Sequence, residues 1–386
     1  MNQPASVIST DYGSQEQVMQ AYLAKGQVNA MALDNRGPIR FTANGEIDPA
    51  ILDAYWRYGF YVFEDVLGAA ELRDLEVDLE NILDRLPTDS SSMTDHKGRI
   101  ALGHRCQAKC FYWSKPLGDP FGGTDFGNGR HPVAMMEPRP AEDAPAEIVY
   151  LIIGSLQFSA ACVRTYGHPD LLAIAAAVNG DDFVPYTDAL FIKAPGLGAS
   201  VAWHQDCVTH WDSPHWDQGS HGFNLLGQLY GCTPANGVWV VPGSHKLGKL
   251  DIKAKVAAAG TERLPDAVPM VCNAGDVVIS NRQLLHGSFA NTSADWRVTI
   301  NMGFHRYASV LGAEGGGILG NRCVYDEAHI KARSRTIGYA IDARRQRFPD
   351  ETPFVYKPFA DSDDEYRWDE AARASLFDYN LMDMGV

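Results

Sequence analysis

The spacing of hydrophobic positions along this chain changes near residue 183. Before that point apolar residues recur at helical intervals. Ile51, Leu52, Tyr55 and Trp56 fall at i, i+1, i+4 and i+5, and Leu72, Leu75, Leu79, Ile82 and Leu83 line one side of the stretch 69–86. The same reading predicts helices near 15–23, over the apolar run 147–163 and over 171–178, with one strand at 59–63. Between them, 87–145 is rich in Gly, Pro, Asp and Ser and reads as an irregular insert, its Phe111-Tyr112-Trp113 packing a loop down. After Phe183 the texture becomes short strands separated by turns, at 189–193, 200–206, 223–231, 238–241, 276–280, 284–288 and 296–306. An antiparallel barrel or jelly roll is the expected core.

This pattern suggests one domain over 1–386. An N-terminal extension (1–46) precedes a helical region (47–182) that contains the insert 87–145; a jelly-roll core (183–310) and a C-terminal extension (311–386) follow. Gly237-Val238-Trp239-Val240-Val241 is apolar throughout and should be buried on both faces. Pro242-Gly243-Ser244-His245 ends it, so His245 reads as a turn residue rather than a metal ligand. The acidic run 361–365 reads as solvated surface.

Composition narrows the function. The net charge of −15 sets aside nucleic acid and anionic membranes as partners, because both require basic patches. A small anionic ligand needs only one or two local cations and stays open. The seven cysteines are odd in number and form no Cys-x-x-Cys, so free thiols are expected rather than zinc. The first residues lack the basic and apolar segments of a secretory leader, and no run approaches the roughly 18 apolar residues that span a bilayer, so a cytoplasmic location is expected. Oligomeric state stays open.

The candidate chemistry lies in Trp203-His204-Gln205-Asp206, followed by His286-Gly287-Ser288 and Arg297. Two imidazoles and one carboxylate leave half an octahedron open, which suits a non-haem Fe(II) centre. On an extended segment the i,i+2 spacing points His204 and Asp206 to one face. His-x-Asp is cheap: twelve His and 48 acidic residues give about 1.5 chance occurrences of His-x-Asp/Glu. Context separates the four present. His168-Pro169-Asp170 reads as a helix entry, and the pairs at 210/212 and 215/217 fall in a loop. His210, Trp211 and His215 are instead expected at the pocket mouth, favouring an organic substrate with some apolar surface. Arg297 is a candidate partner for an anionic co-substrate, a structural salt bridge being the other reading.

With these residues in place, the chain resembles the phytanoyl-CoA dioxygenase family of Fe(II)/2-oxoglutarate oxygenases. The likeness also runs through Asn236-Gly237, Val240-Val241-Pro242-Gly243-Ser244-His245 and Ala274-Gly275-Asp276-Val277, with a weaker match at Tyr58-Gly59-Phe60-Tyr61-Val62. It implies a mainly β fold, a double-stranded β-helix (jelly roll, cupin-like) core with flanking helices. It implies iron on His204, Asp206 and His286, and the C5 carboxylate of 2-oxoglutarate on Arg297, with Ser288 and Lys193 as further contacts. The family often has a Trp in the strand 223–231; none is present here, so Asn224 or Gln228 is expected to face the pocket. The implied reaction uses O2 to oxidise an unactivated C–H bond of a small organic molecule, usually by hydroxylation, releasing succinate and CO2. Desaturation, epoxidation and ring formation stay open. Asp206 argues against halogenation. A jelly roll that binds a ligand or metal without redox chemistry is the alternative from a different class.

Overall fold

The computed structural model describes residues 11–206, 222–316, 319, 321–360 and 363–383. The N-terminal part contains α1 (Glu16–Met31), β1 (Arg36–Gly37), α2 (Pro49–Tyr58), β2 (Phe60–Phe63) and α3 (Ala69–Asp84). α2 starts where Asp48 accepts a hydrogen bond from the Ala50 amide at 2.9 Å with Pro49 in the first turn, and stops at Gly59 in the left-handed region. α1 runs past the expected 15–23 because Met19, Leu23, Gly26 and Ala30 continue one buried face. Gly26 is a close approach rather than a helix end: a Cβ there would meet the Trp239 ring at 2.2 Å.

The expected helix over 147–163 is corrected. After β3 (Phe111–Ser114) and the single turn α4 (Phe126–Gly129), residues Ile148–Ile153 form a strand, β4. β4 pairs with β3 on one edge and with β5 (Val184–Lys193) on the other. A continuous run of Ile, Val and Leu has no period to separate strand from helix, and tertiary pairing decides. Helix begins only at α5 (Ala160–Tyr166), where the Ser159 hydroxyl accepts from the Cys162 amide at 2.9 Å; α6 (Pro169–Asn179) follows. Phe111-Tyr112-Trp113 is therefore part of the edge strand β3, not loop packing.

The chain then passes back and forth between two sheets, staying in one only from β8 to β9, through β5, β6 (Val201–His204), β7 (Gly222–Gln228), β8 (Trp239–Val240), α7 (Ile252–Ala259), β9 (Val268–Pro269), β10 (Val277–Asn281), β11 (His286–Ser288) and β12 (Arg297–His305). The larger sheet has the order β1-β2-β10-β7-β12-β5-β4-β3, and the smaller β6-β11-β8-β9. The eight strands β5–β12, split four and four in this order and antiparallel throughout, make the expected double-stranded β-helix. β1–β4 widen the larger sheet at both edges.

The tail carries α8 (Tyr307–Val310), the hairpin β13 (Glu314–Gly316) and β14 (Arg322–Val324), α9 (Glu327–Arg347) and α10 (Glu370–Ser375). α9 went unread in the sequence because its buried face mixes Ile330, Ile337 and Ala340 with Arg333, Ser334 and Thr336. Buried Arg333 pairs with Asp383 at 2.9 Å and with Asp188 of β5 at 3.6 Å, tying the tail to the core. Of the acidic run, Asp361 and Ser362 lie outside the described residues and Glu365 is exposed. The six described cysteines are free thiols. Among the described residues no helix is long and apolar enough to cross a membrane.

Candidate metal centre

His204 ends β6 and His286 opens β11, and the two are direct partners in the antiparallel ladder. Their ring centroids lie 4.0 Å apart. Each Nδ1 sits 2.8 Å from the carbonyl oxygen two residues earlier, Ala202 for one and Leu284 for the other. With Nδ1–H donating there, both Nε2 lone pairs are left for a metal. The strand stops at His204, so Asp206 does not share the regular extended segment expected of it. Its backbone amide instead donates to the Arg282 carbonyl at 2.9 Å, and its Oδ1 comes to 3.5 Å from His204 Nε2. One donor atom from each of His204, Asp206 and His286 lies within 4.8 Å of the other two. Close approach of β6 to β11 depends on Gly287, where a Cβ would stand 3.1 Å from the Val201 carbonyl oxygen.

Three polar side chains hold the carboxylate. Arg130 Nη1 reaches Asp206 Oδ1 at 2.8 Å, Asn224 Nδ2 donates to Oδ2 at 3.1 Å, and Arg282 Nη2 stands 3.9 Å from Oδ2. Burial works against ionisation of Asp206, but Arg282, the hydrogen bond with His204 and Arg130 outweigh it and keep the carboxyl well below the usual carboxylate range. Burial, then neighbouring His204, pushes His286 down to about 3, so its imidazole is neutral and ready to ligate. Two imidazoles and an ionised carboxylate with open positions between them form a donor set that fits a divalent first-row ion such as iron.

A cavity of about 150 Å³ opens onto this centre between the two sheets. Arg297, Ser288 and Asn224 line it; Lys193 and Gln228 do not. Arg297 is buried, its Nε has no hydrogen-bond partner, and it makes no ion pair among the described residues. That is not the salt-bridged arginine of the structural alternative. Lys193, opposite Arg297 in the ladder, donates its ammonium to the Phe289 carbonyl, so its contacts serve the backbone rather than the cavity. Gln228 is likewise occupied, accepting from Thr299 Oγ1 at 2.8 Å. His210, Trp211 and His215 lie outside the described residues. The other sequence readings of histidines hold: His168 caps α6, and His245 sits in a 3-10 turn with Nε2 3.1 Å from the Trp56 carbonyl oxygen.

The sequence did not single out Arg130, Arg282 or His131. Arg130 and His131 come from the insert, with Phe121 and Phe126 beside them on the cavity wall. The His131 ring packs between Phe121 (centroids 5.0 Å apart) and His204 (4.2 Å). Burial, then His204 and Arg130, pushes its pKa far below the usual imidazole value. No motif marks these positions; an Arg-His pair in a Gly-rich insert was the only available signal.

Residues 153–299 match the family model described as phytanoyl-CoA dioxygenase. Phytanoyl-CoA dioxygenase 1 of Oryza sativa subsp. japonica is 33% identical over 109 residues, which are 26% of this chain and 37% of the rice protein. Over this central region the chain is similar to the phytanoyl-CoA dioxygenase family. This family consists of Fe(II)/2-oxoglutarate-dependent oxygenases. The chain spans little more than a third of the rice relative's length. Two solved structures are also similar. AviO1 from Streptomyces viridochromogenes Tue57 is 25% identical, with TM-score 0.46 over 67% of this chain and 95% of that one. EctD from S. alaskensis, solved with 2-oxoglutarate and 5-hydroxyectoine, is 19% identical, with TM-score 0.48 over 72% of this chain and 82% of that one.

Proposed function

We propose that this protein is an Fe(II)- and 2-oxoglutarate-dependent dioxygenase that oxidises an unactivated C–H bond of a small organic molecule. Hydroxylation is the simplest outcome, with succinate and CO2 as co-products. The observation that carries the reading is the sharing of one cavity by a two-histidine, one-carboxylate donor set and a buried guanidinium that has no ion-pair partner among the described residues. Bound iron would supply O2 activation. The protein's own groups do the rest. The Ala202 and Leu284 carbonyls orient the two imidazoles, while Arg130, Asn224 and Arg282 keep Asp206 ionised and aimed. The planar fork of Arg297 suits the far carboxylate of 2-oxoglutarate through two parallel hydrogen bonds, with the Ser288 hydroxyl beside it. Phe121, Leu151, Phe191 and Leu226 exclude water from the reacting end. The whole chain acts as one catalytic domain in this reading, since the insert supplies Arg130 and the tail's Arg333 anchors Asp188 of the cavity lining.

The test is anaerobic addition of Fe(II) and 2-oxoglutarate to metal-free protein. A weak visible charge-transfer band is expected, followed by succinate release when air is admitted. Iron binding with neither band nor succinate would make this a jelly-roll binding protein and sink the proposal.

A further inference from the structure

Resting on the oxygenase reading, we propose that His131 determines substrate specificity and that the substrate is an apolar molecule with an uncharged hydroxyl or carbonyl oxygen beside the carbon oxidised. His131 is fully buried, and neither ring nitrogen has a hydrogen-bond partner among the described residues. Buried polar groups are almost always paired, so an imidazole orphaned at both nitrogens on a cavity wall points to a partner that enters the cavity. His131 is not part of the metal donor set, yet its ring lies 4.2 Å from that of His204. A group bound to it therefore sits next to the reacting centre.

The ring cannot swing away to find water elsewhere. Asp119 staples the loop that carries it, accepting from the Gly122 amide at 2.9 Å, the Phe121 amide at 3.2 Å and the Met135 amide at 2.7 Å. The Gly123 amide donates to the His131 carbonyl at 2.8 Å, closing the loop on itself. Phe121 covers the face of the imidazole away from His204.

The chemistry of the partner follows from the surroundings. Phe121, Phe126, Leu151, Phe191, Val201 and Leu226 line the same cavity and select an apolar body. The two unpartnered ring nitrogens can donate to or accept from a ligand group. A hydroxyl satisfies either nitrogen and a carbonyl satisfies the donor. A carboxylate would place a second anion next to Asp206, whose Oδ1 is already on Arg130.

Tetralin, 1-tetralol, 1-tetralone and tetralin-1-carboxylate, which share one apolar body, serve as probes. Dissociation constants are measured by calorimetry with and without anaerobic Fe(II) and 2-oxoglutarate. Wild type should bind the alcohol or ketone at least about tenfold more tightly than the hydrocarbon, the discrimination one hydrogen bond to a buried group provides. His131→Phe, which keeps the ring stack, should lose that preference; His131→Gln, which keeps a donor and an acceptor, should retain part of it. The Fe(II)–2-oxoglutarate band should persist in both variants. An unchanged preference in His131→Phe, a carboxylate bound best, no preference in wild type, or loss of the band in His131→Phe would overturn the proposal. Wild type that shows the His131-dependent preference but no band would leave the binding site standing and remove the oxygenase reading instead.

Discussion

The two walls of the cavity are built by different means. On one, His204, His286 and Arg297 stand on strands whose ladder partners set their positions: His204 faces His286, and Arg297 faces Lys193. On the other, Phe121, Phe126, Arg130 and His131 come from a loop with a single turn of helix. His286 is paired on both sides, to His204 and Val240, and His204 and Arg297 on one side each, so backbone ladders rather than a single side chain set the geometry. The loop hangs on one carboxylate, Asp119, which takes three amides. The contrast separates two tasks. The proposed iron and 2-oxoglutarate chemistry rests mainly on the stiff wall, with Arg130 of the loop steadying Asp206, and substrate choice rests on the wall that one residue can release.

Four measurements test whether the two walls behave differently. The largest effect belongs to the strand wall. His204→Ala or His286→Ala should weaken Fe(II) binding by more than the ~100-fold that loss of an outer-shell partner alone can cost, read by anaerobic titration. Near-native affinity in either variant would dissolve the proposed centre. Next, Arg297→Ala should raise the apparent KM for 2-oxoglutarate at least ~10-fold, since hydrogen bonds to charged groups contribute about 1.5–3 kcal/mol each. Arg297→Lys should fall between wild type and Ala, and iron affinity should barely move. A protein whose 2-oxoglutarate dependence is unchanged by Arg297→Ala has no co-substrate site there.

The loop wall should respond differently. Asp119→Ala strands three amides and should cost roughly 1–3 kcal/mol of stability in urea unfolding. It should weaken binding of the tetralol probe by more than it weakens Fe(II) binding, which the loop reaches only through Arg130 and Asp206. Equal loss of both affinities would mean that the walls are not independent.

The smallest effect lies outside both walls and serves as a control on acid behaviour. Burial, then Arg344, lowers the pKa of His168 from 6.5 to about 3. Unfolded His168 gains a proton below about 6.5 and folded His168 only near 3. Its contribution is therefore full above 6.5 and is lost progressively as pH falls towards 3. His168→Gln should reduce the stability loss between pH 7.5 and 5 by roughly 1–2 kcal/mol. An unchanged slope would mean that His168 is not the group taking up protons on unfolding.

Much of the strand wall was legible before any coordinates, because strand chemistry is written in local spacing. The His204/Asp206 pair, the distal His286 and Arg297 all follow from short motifs next to apolar strands, and helix signals such as Asp48-Pro49 and Gly59 mark α2 at both ends. Even there one detail differed: Asp206 lies past the strand and is aimed by the Arg282 carbonyl, 76 positions away in sequence and adjacent in space.

The sequence by itself determined the fold class, the family resemblance and the candidate donor set, since each depends on residues close together in the chain or on a period of two or near 3.6. Only the tertiary structure decided that 148–153 is a strand, that α9 buries an arginine, and that Arg130, Arg282 and Asn224 converge on Asp206. Those outcomes depend on which distant segment arrives alongside. An apolar run becomes strand or helix according to its neighbours, a polar face is buried only where Asp188 and Asp383 wait to pair with it, and an insert without periodicity acquires its shape from a half-buried carboxylate and the cavity it closes.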